Sequence, residues 1–184
     1  QPTIGIFTNI GQAHQEGFDS LENKVLEKLQ LFRRSEKLLY SKDYKAIETQ
    51  VRAQSKAGFF QNAQFQTISW SKTAETAAIS LAKSAVTAHE TTASLEWQGT
   101  SYDFTIPYTD QASLENAIHC RITGILLDIP EASLVEGFKH LAPVEMRLET
   151  KKGLNNCTLI NDTYNSDLLS LQIAIDYLNQ QNQH

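Results

Sequence analysis

The pattern of apolar and polar residues in the first part of the chain predicts a parallel α/β arrangement. Residues 3–9 are apolar on both faces, as expected of a central parallel strand, and apolar side chains then recur at helical spacing over residues 21–32. A second apolar run at 37–40 predicts the next strand, so these segments form a β-α-β unit whose right-handed crossover implies a parallel sheet. A further helix is predicted over 43–54 and a short strand over 66–70.

The pattern changes to strict alternation between residues 78 and 107, which are rich in Thr, Ser and aromatic side chains. Tyr102, Phe104 and Ile106 fall on one face of the last run, with polar residues between them. The dipeptide Gln98-Gly99 separates two such runs and is typical of a hairpin turn. We therefore expect a small antiparallel β patch joined to the parallel sheet.

Helix starts are marked by local signals. Asp19 and Glu22 are spaced as a capping box for the first helix. After the antiparallel patch, one helix is predicted over about 113–127, and another starts at Pro130, a residue that suits the first helical position. The apolar side chains that this last helix would bury are Leu134, Phe138 and Leu141.

The end of the chain has the pattern of a second α/β unit. Residues 147–149 and 157–160 predict two paired strands, and a helix capped by Ser166 follows. The inward side chains of that helix would be Leu168, Leu171, Ile175 and Leu178. Because this stretch is too short to close its own sheet, we divide the chain into a larger domain, 1–143, and the beginning of another, 144–184.

Composition narrows the class of protein. The chain has 184 residues, of which 41% are hydrophobic and 20% charged, as in soluble globular proteins. A net charge of -5 argues against a nucleic-acid partner, and no apolar run is long enough to insert into a membrane. Cys120 and Cys157 lack metal-ligand spacing, which favours a reduced, cytoplasmic protein. The absent initiating Met and the abrupt ends favour an internal fragment of a longer protein.

Three stretches, taken in order, resemble the Mur ligase family. They are residues 8–18, then 115–117, then the pair 146–149 and 160–166. Their order and separations resemble the second half of the family's P-loop-type central ATPase domain, followed by the first elements of its Rossmann-like C-terminal domain. The Ala-His-Gln-Glu-Gly-Phe and Asp-Thr-Tyr-Asn sequences are most similar to the branch that adds D-Ala-D-Ala, and residues 161–170 resemble versions fused to an alanine racemase domain.

This resemblance implies an ATP-dependent ligase of peptidoglycan synthesis. Such an enzyme uses ATP and Mg²⁺ to activate a carboxylate of UDP-MurNAc-tripeptide, which D-Ala-D-Ala then attacks. No Gly-Lys-Thr or Gly-Lys-Ser sequence occurs, so the phosphate-binding loop is not in this chain and we expect the fragment alone to be inactive. Two alternatives stay open: another ligase of the superfamily, of the folylpolyglutamate or cyanophycin type, and a non-catalytic scaffold module.

By resemblance, His14 and Lys28 are the catalytic and metal-binding residues. His14 follows the carboxyl end of a strand, where ligands bind in open α/β sheets, and matches a magnesium ligand. Lys28 matches a lysine that many members carbamylate, which turns the ammonium into an oxygen donor suited to magnesium. Without the motif, the favoured interpretation of His14 is a loop histidine that caps the following helix or is solvated, and that of Lys28 is a surface lysine. Lys24, one turn earlier, is a competing candidate.

The resemblance also implies a nucleotide site. Asn116 matches an asparagine that contacts adenine, where an amide can both donate and accept. Arg147 matches a residue that reaches phosphate, and Asp162 one that reaches the ribose. Outside the resemblance, Asn116 would make local backbone bonds and the other two a strand-end ion pair or turn cap. The sequence departs from the family at residues 112–113, where the usual His-Asn pair is Ala-Ser.

The third motif implies a site for the incoming amine. Tyr164 and Asn165 form a strand-to-helix turn that would face this substrate. Family members that add earlier amino acids usually carry a basic residue in place of Tyr164. Ser166, which follows, is explained by helix capping, and we assign it no catalytic role.

Overall fold

The computed structural model describes residues 2–11, 17–73, 76–142, 148–164 and 168–181. Across these residues the main feature is a mixed sheet with its strands in sequential order. The strands are β1 (Ile4–Phe7), β2 (Lys37–Ser41), β3 (Gln66–Ser71), β4 (Ile79–Val86), β5 (Thr91–Trp97) and β6 (Thr100–Ile106). The helices that accompany this sheet are α1 (Leu21–Leu29), α2 (Lys45–Lys56), α3 (Gln111–Leu126) and α4 (Glu131–Lys139). This arrangement confirms the predicted α/β fold class.

The parallel half of the sheet consists of β1, β2 and β3, with β4 added in parallel at the end of β3. Gly5 pairs with Leu38, and Leu38 pairs with Thr67, so the strands run in register. Because they are parallel, their carboxyl ends lie at one edge of the sheet. Within β1, a glycine is required at position 5, because a Cβ there would overlap the ring of Phe32, which follows α1. Apolar residues of α1, α2, β1 and β2 form the core on this side: Phe7, Ile10, Val25, Leu29, Leu38, Tyr40, Ile47 and Val51.

The antiparallel half consists of β4, β5 and β6, as the alternating pattern predicted. Gln98 and Gly99 both have positive φ, 51° and 78°, as a two-residue hairpin turn requires. Phe104 and Ile106 are buried and Tyr102 is half-buried, which confirms the predicted inner face. These side chains belong to a second core shared with β3 and α3, whose largest fully buried apolar members are Leu39, Trp70, Ile79, Leu95, Ile106, Ile118 and Ile122.

Two helices start later than predicted because of the side chains at their ends. Ser20, not Asp19, caps α1: its side chain accepts the backbone N–H of residue 23 at 3.1 Å. The second helix starts at Lys45 rather than at residue 43, since the Asp43 carboxylate is engaged by the end of β3, where it accepts a backbone N–H at 2.9 Å. The predicted starts of these two helices are therefore correct to within two residues.

The contact between α3 and α4 is close. A Cβ on Gly124 would overlap the Leu134 side chain, so the absence of a side chain there lets the two helices approach. Pro130 is the N-cap of α4 rather than its first residue. Phe138 is buried as predicted, but Leu141 is 40% exposed because α4 ends at Lys139, so the prediction that Leu141 is buried is wrong.

The C-terminal part contains a hairpin, β7 (Glu149–Lys152) and β8 (Thr158–Asn161), and a helix, α5 (Leu168–Gln181). Glu149 pairs with Asn161, which confirms two antiparallel strands. The α5 side chains predicted to point inward are instead 43% to 55% exposed: Leu171, Ile175 and Leu178. Two strands and one helix offer too little surface to bury that stripe. Ser166 and the boundary at 143–144 lie outside the described residues, and the domain division stays a prediction.

The described helices include none with both the length and the apolar character needed to cross a lipid bilayer. The longest of them, α3, carries Arg121 and Glu115 within its 16 residues.

The most unusual residue of the second core is Arg121, whose side chain is fully buried. It pairs with Glu131 at the start of α4 and stacks over the Tyr102 ring, 5.6 Å from the ring centroid.

Two guanidinium nitrogens of Arg121, Nε and Nη1, have no acceptor among the described residues. The charge is therefore neutralised mainly through one contact, and an arginine left in the core without it would be strongly destabilising. The ion pair between Arg121 and Glu131 fixes the orientation of α4 relative to α3. The packing of Gly124 against Leu134 sets only the distance between the two helices.

We expect Glu131→Ala to lower the free energy of unfolding of this chain by about 2–3 kcal/mol, since it leaves a buried charge unpaired. Arg121→Met, which removes the charge and keeps the apolar stem, should cost less than Glu131→Ala. The control is Glu136→Ala, which removes exposed pairs with Lys139 and His140 on the same helix and should change stability by under about 0.5 kcal/mol. Urea unfolding measures all three, and equal losses for Glu131→Ala and Glu136→Ala would contradict the role of Arg121.

Candidate functional site

The carboxyl edge of the parallel strands gathers the polar residues that carry the site. Residues 9–11 follow β1, residues 42–44 follow β2 and residues 72–73 follow β3. The N-terminal part of α3 reaches the same edge, where Glu115 contacts residues after β2 and β3. In open α/β sheets this edge is where ligands bind. Two features occupy it: a cleft beside α1 and a hydrogen-bonded network centred on Glu115.

The first feature, the α1 cleft, is an open depression of about 420 Å³ between α1 and the loop after β1. Polar and charged side chains from both elements line it, among them Asn9, Lys24, Glu27 and Lys28. Positions four apart lie on one face of a helix, which is why Lys24 and Lys28 reach the same cleft. The cleft therefore contains the amines of two lysines and the carboxylate of Glu27 from α1, and the amide of Asn9 from the loop.

The two lysines of the α1 cleft differ in burial. Lys24 is only 5% exposed, and its Nζ donates a hydrogen bond to the carbonyl oxygen of Gly11 at 2.9 Å. Lys28 is exposed and lines the cleft one turn later. The ammonium of Lys24 is thus committed to the backbone of the loop, whereas that of Lys28 is accessible from solvent.

His14 lies in residues 12–16, outside the described part of the chain, and stays a prediction from the sequence. The loop that leads to it does line the cleft, through Asn9 and Gly11. Within the described residues, no group of three or more His, Cys, Asp or Glu side chains forms a metal site. The predicted metal site therefore depends on Lys28 together with residues of this loop.

The second feature, the Glu115 network, consists of Asp43, Tyr44, Ser71, Lys72 and Glu115. Lys72 Nζ and Tyr44 Oη each donate to a different carboxylate oxygen of Glu115, both at 2.7 Å. Asp43 accepts the backbone N–H of Lys72 at 2.9 Å and the hydroxyl of Ser71. Burial, together with the hydrogen bond to Glu115, raises the pKa of Tyr44, so its hydroxyl stays a donor even in alkaline solution. The network ties the ends of β2 and β3 to α3.

A buried pair beneath the network holds Glu115 from the other side. Trp70 Nε1 donates to His119 Nε2 at 3.1 Å, and His119 Nδ1 contacts the backbone oxygen of Glu115 at 2.8 Å. Because Nε2 accepts, Nδ1 carries the proton and donates, so the ring is neutral. Burial lowers the pKa of His119 below its usual value.

The other predicted site residues that the structure describes lie on α3 and in the segment after β8. Asn116 is exposed in the second turn of α3, next to Glu115, and is not among the residues that line the α1 cleft. Asp162 follows β8 and accepts the backbone N–H of Leu148 at 3.2 Å, while Tyr164 is 55% exposed. Arg147 and Asn165 lie outside the described residues. The structure brings Lys28 together with the loop of β1 but does not place all predicted residues in one pocket.

Sequence analysis missed the Glu115 network. Tyr44 and Glu115 are separated by 71 positions, so no local pattern joins them. One signal was available: polar residues come within two positions of the ends of these parallel strands, Asp43 after β2 and Lys72 after β3. Side chains at these positions meet at one edge of a parallel sheet.

Comparison with known proteins identifies relatives for most of the chain. The family described as "Mur ligase middle domain" matches residues 1–124. The UDP-N-acetylmuramoyl-tripeptide--D-alanyl-D-alanine ligase of Bacillus subtilis (strain 168) is 24% identical over 180 residues, which are 95% of this chain and 35% of the relative. The chain thus spans about a third of that protein's length.

Two solved structures show the same fold. MurF from Acinetobacter baumannii superimposes with a TM-score of 0.81 at 19% identity, over 99% of this chain and 38% of that one. The MurF ligase of Thermotoga maritima in complex with ADP gives a TM-score of 0.73 at 18% identity, over 97% of this chain and 39% of that one. At such identities the likeness concerns the fold.

The buried neutral His119 predicts a pH-dependent stability. Its pKa is lower in the folded chain than in the unfolded one, so the unfolded chain binds more protons as the pH falls. Stability from this residue is complete above about pH 6.5 and is lost below it, at no more than about 1.4 kcal/mol per pH unit. Urea midpoints at pH 7.5, 6.0 and 5.0 should therefore decrease, with a shallower decrease in His119→Gln, which does not titrate.

The matched control for this measurement is His140→Gln, since the side chain of His140 is 75% exposed and pairs with Glu136, which is itself exposed. It should retain the pH dependence of the unmodified chain. An unchanged slope in His119→Gln would show that other groups cause the loss of stability.

Proposed function

This chain belongs to the Mur ligase family, and from that membership we propose that the whole protein is a cytoplasmic ATP-dependent ligase that adds D-Ala-D-Ala to UDP-MurNAc-tripeptide. The observation that carries the proposal is the α1 cleft, which places Lys28 beside the loop leading to His14 within the matched region. The name of the Bacillus relative supports the choice of acceptor and amine. Residues 1–143 then form part of the ATPase domain, and 144–184 begin the next domain.

The proposed reaction joins a carboxylate to an amine in two steps. An oxygen of the peptide carboxylate attacks the γ-phosphorus of ATP, and the bond to ADP breaks. The amine of D-Ala-D-Ala then attacks the acyl carbon, phosphate leaves, and the amine loses a proton to solvent or to a nearby base. The protein has to hold the two substrates in line and compensate the charge of the phosphoryl group.

Residues of the α1 cleft fit a magnesium ion. Magnesium binds oxygen, and the carboxylate of Glu27 and the amide of Asn9 line the cleft with Lys28. Lys28 is exposed, so its neutral amine can react with dissolved CO2, and the resulting carbamate, formed with loss of a proton, would supply further oxygens; Lys24 is instead held by Gly11. Together with His14, these groups would hold a metal that neutralises phosphate charge. We therefore favour Lys28 over Lys24 as the modified lysine.

The nucleotide and the amine would be bound by the remaining residues. We propose that Asn116 contacts adenine, as its exposed position in the second turn of α3 permits. Arg147 would bind phosphate and Asp162 the ribose, while Tyr164 and Asn165 would contact the amine substrate. The structure of a Thermotoga relative with ADP supports a nucleotide in this fold. Because this chain lacks a Gly-Lys-Thr loop, we expect this portion alone not to hydrolyse ATP.

The test is phosphate release by the full-length protein with ATP, magnesium and UDP-MurNAc-tripeptide. We expect release to depend on D-Ala-D-Ala and not on D-Glu, meso-diaminopimelate or glutamate added with a folate acceptor. Lys28→Ala and His14→Ala should each lower kcat by about 100-fold or more, because charge compensation at the phosphoryl group is lost. The matched control is Lys56→Ala, an exposed lysine in the last turn of α2, which should retain activity.

Each other result points to a different function. Release with another amine would assign the protein to a sister ligase, and no release from a folded full-length protein would favour a scaffold role. A larger loss of kcat in Lys24→Met than in Lys28→Ala would transfer the catalytic role to Lys24. In our assignment Lys24→Met acts mainly on stability, since it removes the hydrogen bond that holds Gly11.

A further inference from the structure

We infer that the Glu115 network positions Asn116 for nucleotide binding, and that Glu115 and Tyr44 are positioning residues rather than merely structural ones. The inference rests on the proposed function, because it requires a nucleotide at the carboxyl edge of the sheet. It concerns residues that no sequence motif singled out for this role. Its basis is the number, geometry and location of the hydrogen bonds that Glu115 makes.

Glu115 is held at three points. Its carboxylate oxygens accept from Lys72 and Tyr44, both at 2.7 Å. Its backbone oxygen accepts from His119 at 2.8 Å, and the other nitrogen of that ring is fixed by Trp70. These contacts come from the loop after β2, from β3 and the residue after it, and from α3 itself. A residue held from three elements can neither rotate nor slide without breaking hydrogen bonds.

Packing alone does not explain these contacts. The apolar side of α3 is already attached to the sheet by buried side chains on either side of Glu115: Leu114, Ala117, Ile118 and Ile122. Apolar burial is non-directional and leaves the rotation and the height of a helix loosely defined. Directional, charge-assisted hydrogen bonds define both. The Lys72–Glu115 pair is 29% and 13% exposed, so it is better shielded than a surface ion pair.

Asn116 is the residue for which a precisely fixed position of α3 would matter. Asn116 is the next residue along α3 and is exposed at the edge where ligands bind. An asparagine amide presents a donor beside an acceptor, which matches the adjacent acceptor and donor of adenine and mismatches guanine. Such a pairing tolerates little displacement, since hydrogen bonds weaken steeply with poor geometry. The network is therefore expected to control nucleotide affinity and base preference, and to leave the chemical step largely unchanged.

The test uses Tyr44→Phe and Glu115→Gln in the full-length protein, with Tyr40→Phe as a matched control. Tyr40 donates to Glu48 at 2.6 Å, so the control removes the same kind of hydrogen bond but one that joins β2 to α2. Steady-state phosphate release gives KM and kcat for ATP and for GTP. We expect KM for ATP to rise about 5- to 10-fold in both network variants with kcat within about twofold, and the preference for ATP over GTP to fall.

Thermal unfolding of each variant separates positioning from folding. Tyr40→Phe should lower the melting temperature about as much as Tyr44→Phe while leaving KM for ATP unchanged. If KM is unchanged in both network variants, or rises equally in Tyr40→Phe, the inference is overturned while the proposed function stands. If Glu115→Gln does not fold, Lys72→Met removes the same contact from the other side and decides the question.

Failure of the proposed function gives a different result. A folded, unmodified full-length protein that neither binds ATP nor releases phosphate with any amine would contradict the proposed function, and the inference with it. An active protein with unaffected network variants contradicts the inference alone.

Discussion

The parallel pairing of β1, β2 and β3 is the constraint on which the rest of the molecule depends. In parallel register all three strands must end at the same edge, and each must then turn back through a helix or loop that begins there. The residues directly after the strands are consequently crowded together although they are about thirty positions apart in sequence. The α1 cleft and the Glu115 network both consist of such residues, completed by side chains from α1 and α3. A change of register would disperse both.

The sheet and α3 are joined by polar contacts as well as by apolar packing. His119 and Arg121 lie two positions apart on α3, and both are buried against strands. Each carries a cost of desolvation that only a specific partner offsets: Trp70 and a backbone oxygen for His119, and Glu131 for Arg121. Burial of such groups adds little net stability, but it penalises every arrangement in which the partners are misplaced. In this core, polar contacts thus specify the orientation of α3, and apolar contacts supply most of the free energy.

Elements with local sequence signals were predicted correctly. Predictions were wrong where a helix start or the burial of a side chain depends on residues distant in sequence. The hairpin at residues 98–99 and the inner face of β6 followed from alternation and turn chemistry alone. The start of α2 was misplaced because Asp43 bonds to the end of β3, and the exposed stripe of α5 depends on what packs against it. For the candidate site, resemblance nominated Lys28 and Asn116, which adjoin recognisable motifs, and their roles stay predictions. It did not point to Tyr44 or Lys72, whose hydrogen bonds to Glu115 form only when three elements meet.

Lys24 and Lys28 show how the fold distinguishes residues that a sequence treats alike. Both are lysines on one face of α1, one turn apart, and both line the same cleft. Lys24 is buried, so its ammonium has to be paired, and the carbonyl of Gly11 provides a partner. Lys28, one turn later, is exposed, so it is solvated and chemically accessible. The helix directs both side chains to the same cleft, and their difference in burial leaves one lysine holding the loop and the other available for chemistry.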